Sequence, residues 1–140
     1  MNFGTHHVCI KVLDPARSAE FYQTALGFRE CSIIHHTPTI TSYFLSAPDH
    51  GLQLQLLHGV GLAADCAAYG HLGMRTEDIQ ASFALHSQMG CVSDKIVEQH
   101  HQFGYFIKDP DGYETEIVQL KRTHKSMNSE RMTCYEDHKH

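Results

Sequence analysis

A hexapeptide near the start of this chain, His7-Val8-Cys9-Ile10-Lys11-Val12, returns 64 positions later as His71-Leu72-Gly73-Met74-Arg75-Thr76, with histidine, apolar, small, apolar and basic residues in the same order. An internal repeat constrains the fold more than any local propensity, because each copy must be one supersecondary unit that completes its core against a neighbour. Both copies run into a helical stretch closed by glycine. The first, Asp14 to Gly27, has an aspartate in the capping position, a proline at the first helical position and a terminal glycine. The second runs from about Glu77 to Gly90, where Ile79, Phe83, Leu85 and Met89 form a looser apolar stripe.

Three short β-like segments follow each helix: Phe28–Ile34, Ile40–Ser46 and Leu52–His58 in the first half, Ser93–Gln99, Gln102–Lys108 and Tyr113–Gln119 in the second. The chain therefore reads as α+β, with two βαβββ modules, about 5–58 and 69–120, forming a curved, open mixed sheet. A length of 140 residues suits one domain, which is expected to end near residue 120. The glycine- and alanine-rich stretch 59–69 reads as the linker, and Asp109-Pro110-Asp111-Gly112 as a tight turn between the last two strands. From 121 to 140 the chain is polar and is expected to be a loosely docked tail.

Composition removes several classes of function. With 41% hydrophobic and 19% charged residues the chain has the apolar content of a globular protein. A net charge of −5 offers no basic excess for a phosphate backbone, so nucleic acid is not an expected partner. No apolar run approaches the ~18 residues of a membrane span and no signal segment is visible, which points to the cytoplasm and away from membranes. Five cysteines without a C-x-x-C pair suggest reduced thiols rather than a disulfide frame. Histidine stands out, with 13 residues and adjacent pairs at 6–7, 35–36 and 100–101.

Strand alternation turns the repeat into a statement about chemistry. If Val8, Ile10 and Val12 pack on the helix, then His7, Cys9 and Lys11 face the other side of the sheet, and His71, Gly73 and Arg75 repeat that pattern. The closing strands also correspond, Leu54-Gln55-Leu56-Leu57 with Thr115-Glu116-Ile117-Val118. Each module thus offers a histidine on its first strand and an amide or carboxylate on its last. Converged, His7, Gln55, His71 and Glu116 make a nitrogen and oxygen set suited to a divalent transition metal. Glu116 lies in an otherwise apolar strand, where an unpaired carboxylate is costly and a cation compensates.

These residues carry a resemblance. The run His7 to Asp14 with Ser18, Phe21-Tyr22 and Leu26-Gly27-Phe28, then Tyr69-Gly70-His71-Leu72-Gly73-Met74, then Phe106 to Glu116, resembles the vicinal oxygen chelate superfamily of glyoxalase I, extradiol dioxygenases and bleomycin-sequestering proteins. The resemblance covers roughly residues 5–120. It implies paired modules whose first- and last-strand positions bind metal, often across a homodimer with each subunit giving half, and so names His7, Gln55, His71 and Glu116 as ligands.

Within that superfamily the local sequence is most similar to glyoxalase I, which isomerises the thiohemiacetal of glutathione and an α-ketoaldehyde. The resemblance then implies a divalent ion (Ni, Zn, Mn, Co or Fe), an enediolate, Glu116 as the base, and Lys11 and Arg75 as partners of glutathione carboxylates. Gln55 departs from the pattern, since glyoxalase I usually carries glutamate there. Two alternatives remain: an extradiol-type iron dioxygenase using only His7, His71 and Glu116, and a metal-free module that sequesters a small molecule.

Overall fold

In the first strand every second residue is apolar, and in the computed structural model Ile10 and Val12 are buried while His7, Cys9 and Lys11 are exposed. The structure describes Phe3, residues 5–61 and residues 70–121. The element order is β1 (His7–Val12), α1 (Pro15–Leu26), β2 (Arg29–His35), β3 (Thr41–Ser46), β4 (Gln53–His58), β5 (His71–Arg75), α2 (Ile79–Met89), β6 (Val97–Glu98), β7 (Gln102–Lys108) and β8 (Glu114–Leu120). Two βαβββ modules result, each with an open four-stranded sheet, ordered β1-β4-β3-β2 and β5-β8-β7-β6. In both, the strand before the helix lies beside the strand that closes the module.

The helices repeat in geometry as well as in order. Asp14 caps α1 by accepting from the Arg17 amide, and Asp78 caps α2 by accepting from the Ala81 amide, both from extended backbone. Gly27 and Gly90 end the helices at φ 74° and 75°. A side chain there would meet the left-handed penalty of roughly 1–2 kcal/mol, which glycine does not. On α2 the apolar stripe differs from the expected one. Leu85 is exposed and His86 is buried, because steps of four and three from Ile79 lead through Phe83 to His86, whereas Leu85 falls off that face. The His86 ring is satisfied there by the Tyr105 hydroxyl, 2.7 Å from Nδ1.

The first sheet is mixed. β1 runs parallel to β4, with His7 opposite Gln53 and Cys9 opposite Gln55, and β3 runs antiparallel to both β4 and β2. Leu45, Leu54 and Leu56 are fully buried in this module, with Tyr22 and Phe28. In the second module the long segment expected at Ser93–Gln99 is strand only at Val97–Glu98, preceded by an isolated bridge from Val92 to Ile107. The polar run Ser93-Asp94-Lys95, with Asp94 accepting from the Lys95 amide, interrupts the ladder.

The chain divides into two compact units. One takes the first module as far as His71 together with Lys108–Glu114, and the other takes Leu72–Ile107 together with the chain from Thr115. The Asp109–Gly112 turn expected from sequence is present, closed by the Gly112 amide donating to the Asp109 carbonyl at 3.0 Å. It belongs to the first unit, where Asp111 meets Arg17 and Asp109 meets Tyr22. Most of the expected linker, 62–69, and the tail beyond Lys121 lie outside the described residues.

Candidate metal centre

The repeat places equivalent donors at equivalent positions. In the first module His7 opens β1 and is exposed, while Gln55 sits half-buried between the fully buried Leu54 and Leu56 of β4. In the second, His71 opens β5 and is exposed, and Glu116 sits half-buried between the buried Thr115 and Ile117 of β8. The burial patterns of the two closing strands agree residue for residue across the positions that matter, so Gln55 and Glu116 both face away from their module's core.

Each donor has neighbours that shape it. His7 Nδ1 stands 2.7 Å from His6 Nδ1, so at least one of those nitrogens is unprotonated and able to accept. Its ring also lies edge-on to Phe44, 6.3 Å between centroids. The Gln55 amide nitrogen donates to the Ser42 hydroxyl at 2.8 Å. Beside Glu116 on the neighbouring strand stands Gly104, where an added Cβ would come within 3.4 Å of Glu116 Oε2. A bulkier residue would press on the carboxylate, so the missing side chain leaves it room.

Cys9, paired with Gln55 across the strands, lies on the same exposed face as His7 and Lys11. Burial pushes its thiol up from the usual range, partly offset by the Lys11 ammonium. The thiol form therefore prevails near neutral pH. Lys11 and Arg75 are exposed at matching strand positions, as the repeat requires.

Among the described residues no three or more His, Cys, Asp or Glu side chains stand close enough together to hold a metal ion. The chain instead presents its donors as two pairs, His7 with Gln55 in one sheet and His71 with Glu116 in the other. The donors themselves fit a borderline divalent cation, with imidazole nitrogen, amide oxygen and carboxylate oxygen on exposed or half-buried strand faces. Sequence reasoning missed Ser42 and His36, the residues behind Gln55. The alternation Ser42-Phe44-Ser46 was the one signal that Ser42 shares the Gln55 face.

Comparison with known proteins agrees with this architecture. The family model described as Glyoxalase/Bleomycin resistance protein/Dioxygenase superfamily matches residues 4–117. A lactoylglutathione lyase of Haemophilus influenzae is 28% identical over 131 residues, covering 88% of this chain and 97% of that protein. The trypanothione-dependent glyoxalase I of Leishmania major superposes with a TM-score of 0.69 at 26% identity, covering 95% of this chain and 93% of that one. An antibiotic-binding protein from a Streptomyces species shares the fold, with a TM-score of 0.70 at 18% identity over 86% of this chain and 98% of its own. No described helix is long and apolar enough to cross a membrane.

Proposed function

Because the chain belongs to the glyoxalase/bleomycin resistance protein/dioxygenase superfamily, we propose that it is a divalent-metal-dependent lyase or isomerase of the glyoxalase I kind, acting on a small carbonyl compound or its thiol adduct. The observation that carries this reading is the repeated donor pair: His7 and Gln55 in one module, His71 and Glu116 at the matching positions of the other. A module that only traps an apolar ligand has no use for such a set. In a homodimer in the cytoplasm, each pair would be completed by a pair from the second subunit.

When bound, a divalent ion supplies Lewis acidity toward adjacent substrate oxygens and lowers the cost of the enediolate. The remaining steps fall to the chain. His7, His71 and Gln55 supply neutral donors. The Glu116 carboxylate takes the proton from the carbon bearing the thiol and returns it to the neighbouring carbon. Lys11 and Arg75 hold the carboxylates of a thiol cosubstrate such as glutathione.

Elemental analysis of untagged protein, followed by assay on methylglyoxal with glutathione, tests the reading. Stoichiometric metal, lost in Glu116→Ala and reduced in Gln55→Ala, with lactoylglutathione formed by the wild type, is the expected result. Metal that survives Gln55→Ala, with oxygen-dependent ring cleavage of catechols, would favour the three-donor iron dioxygenase instead. Failure to take up nickel, zinc, manganese, cobalt or iron would leave a metal-free binding module.

A further inference from the structure

Gln55 does not stand alone on its strand face. Its amide nitrogen is 2.8 Å from Ser42 Oγ, and the same hydroxyl is 2.7 Å from His36 Nε2. The register explains the meeting. Phe44 lies opposite Gln55 and Ser42 opposite Leu57, so Ser42 is the diagonal neighbour of Gln55 on one face. Ile34 lies opposite Ser42, and His36 is two residues further along on that side. Ser42 is completely buried, which removes water as a competing partner.

A serine hydroxyl has one proton to give, and an amide nitrogen can only donate. Ser42 therefore accepts from Gln55 and directs its own proton at His36 Nε2, which acts as acceptor and carries its hydrogen on Nδ1. The polarity of this chain decides which end of the Gln55 amide is used internally. With nitrogen committed to Ser42, oxygen is the atom left for a cation, whereas a flipped amide would offer a cation only its NH2 group.

We propose that Ser42 and His36 are positioning residues that lock the Gln55 amide with its nitrogen inward, making its oxygen the ligand atom for a divalent cation. This rests on the reading of Gln55 as a metal ligand. It also explains why a neutral amide can stand where a carboxylate would need no such help, since both ends of a carboxylate are oxygen.

The test is Ni(II) affinity of the full chain, measured by competition with a chromophoric chelator. Ser42→Ala and His36→Phe are each expected to weaken binding about 10-fold, the usual scale for residues that orient a ligand. In a Gln55→Glu background the Ser42→Ala change is expected to shift affinity less than about twofold, because orientation no longer matters. His36 is exposed, so His36→Phe keeps the question open should Ser42→Ala not fold. An equal loss from Ser42→Ala in both backgrounds overturns the relay and leaves general support of the sheet. Wild-type affinity in Ser42→Ala and His36→Phe, with loss in Gln55→Ala, overturns the relay alone. Wild-type affinity in Gln55→Ala overturns the ligand reading and the relay with it.

Discussion

The Tyr22 hydroxyl donates to Asp109 Oδ2 at 2.8 Å, joining the middle of α1 to a turn 87 positions away. Asp109 Oδ1 meanwhile accepts from the amides of Asp111 at 2.9 Å and Tyr113 at 2.8 Å. Both residues are buried. One carboxylate thus shapes its own turn with one oxygen and anchors it to a helix with the other.

Burial raises the Asp109 carboxyl above its usual value of 3.8, outweighing the hydrogen bonds from Tyr22, Tyr113 and Asp111 that favour the charge, and the nearby Asp111 carboxylate adds to the rise. A raised folded value means the group's stabilising contribution is complete below the unfolded pKa and is lost as pH climbs through the folded one. Asp109→Asn keeps an oxygen for the two backbone donors and reverses the bond to Tyr22. The melting temperature of the wild type relative to Asp109→Asn is therefore expected to fall as pH rises from about 3.5 to 7. A flat difference across that range would refute the assignment.

The Asp111 carboxylate side chain is only 1% exposed and is met by Arg17 at 3.0 Å and Ser18 at 3.3 Å, while the Arg17 side chain is 49% exposed. Solvent on the arginine side screens the pair. Arg17→Ala should cost about 1 kcal/mol, below the ~3–5 kcal/mol of breaking a fully buried pair. Urea unfolding of Arg17→Ala, Asp111→Ala and the double variant would give the coupling directly.

His86 and Tyr105 form a buried polar pair beneath α2, with Phe83 edge-on to the tyrosine ring at 5.1 Å. Burial pushes the Tyr105 phenol far above its ordinary value, against the Ser82 hydrogen bond and with a small addition from Cys91. Spectrophotometric titration should show this tyrosine ionising only on alkaline unfolding. Tyr105→Phe removes the hydroxyl partner of His86 Nδ1 and is expected to cost about 1–3 kcal/mol.

Gly104 offers a test of the Glu116 environment. An alanine there reaches only ordinary contact at 3.4 Å, so Gly104→Ala should retain metal. Gly104→Leu should displace the carboxylate and lower Ni(II) affinity about 10-fold or more while leaving the far-ultraviolet circular dichroism unchanged.

Much of this fold is legible from side-chain period and capping chemistry. Val8-Ile10-Val12 alternate, Asp14-Pro15 and Gly27 bracket a helix, and the His7 and His71 strands announce one another. The misread places are those where tertiary partners decide. A buried histidine replaces Leu85 on α2 because Tyr105 is there to satisfy it. The segment before β7 is mostly unpaired because local polar contacts compete with the ladder. The donors Gln55 and Glu116 could be named from alternation, but Ser42 and His36 could not, since their part depends on cross-strand register rather than on spacing in one strand.

The turn that serves the first helix is encoded in the second half of the chain. An ancestor with two independent copies could have been cut between them and left two whole proteins. Here a cut in the linker would strip α1 of Asp109 and Asp111 and leave Tyr22 and Arg17 without their acceptors. The copies have exchanged a part, so neither half is inherited, truncated or recombined alone without cost to the other.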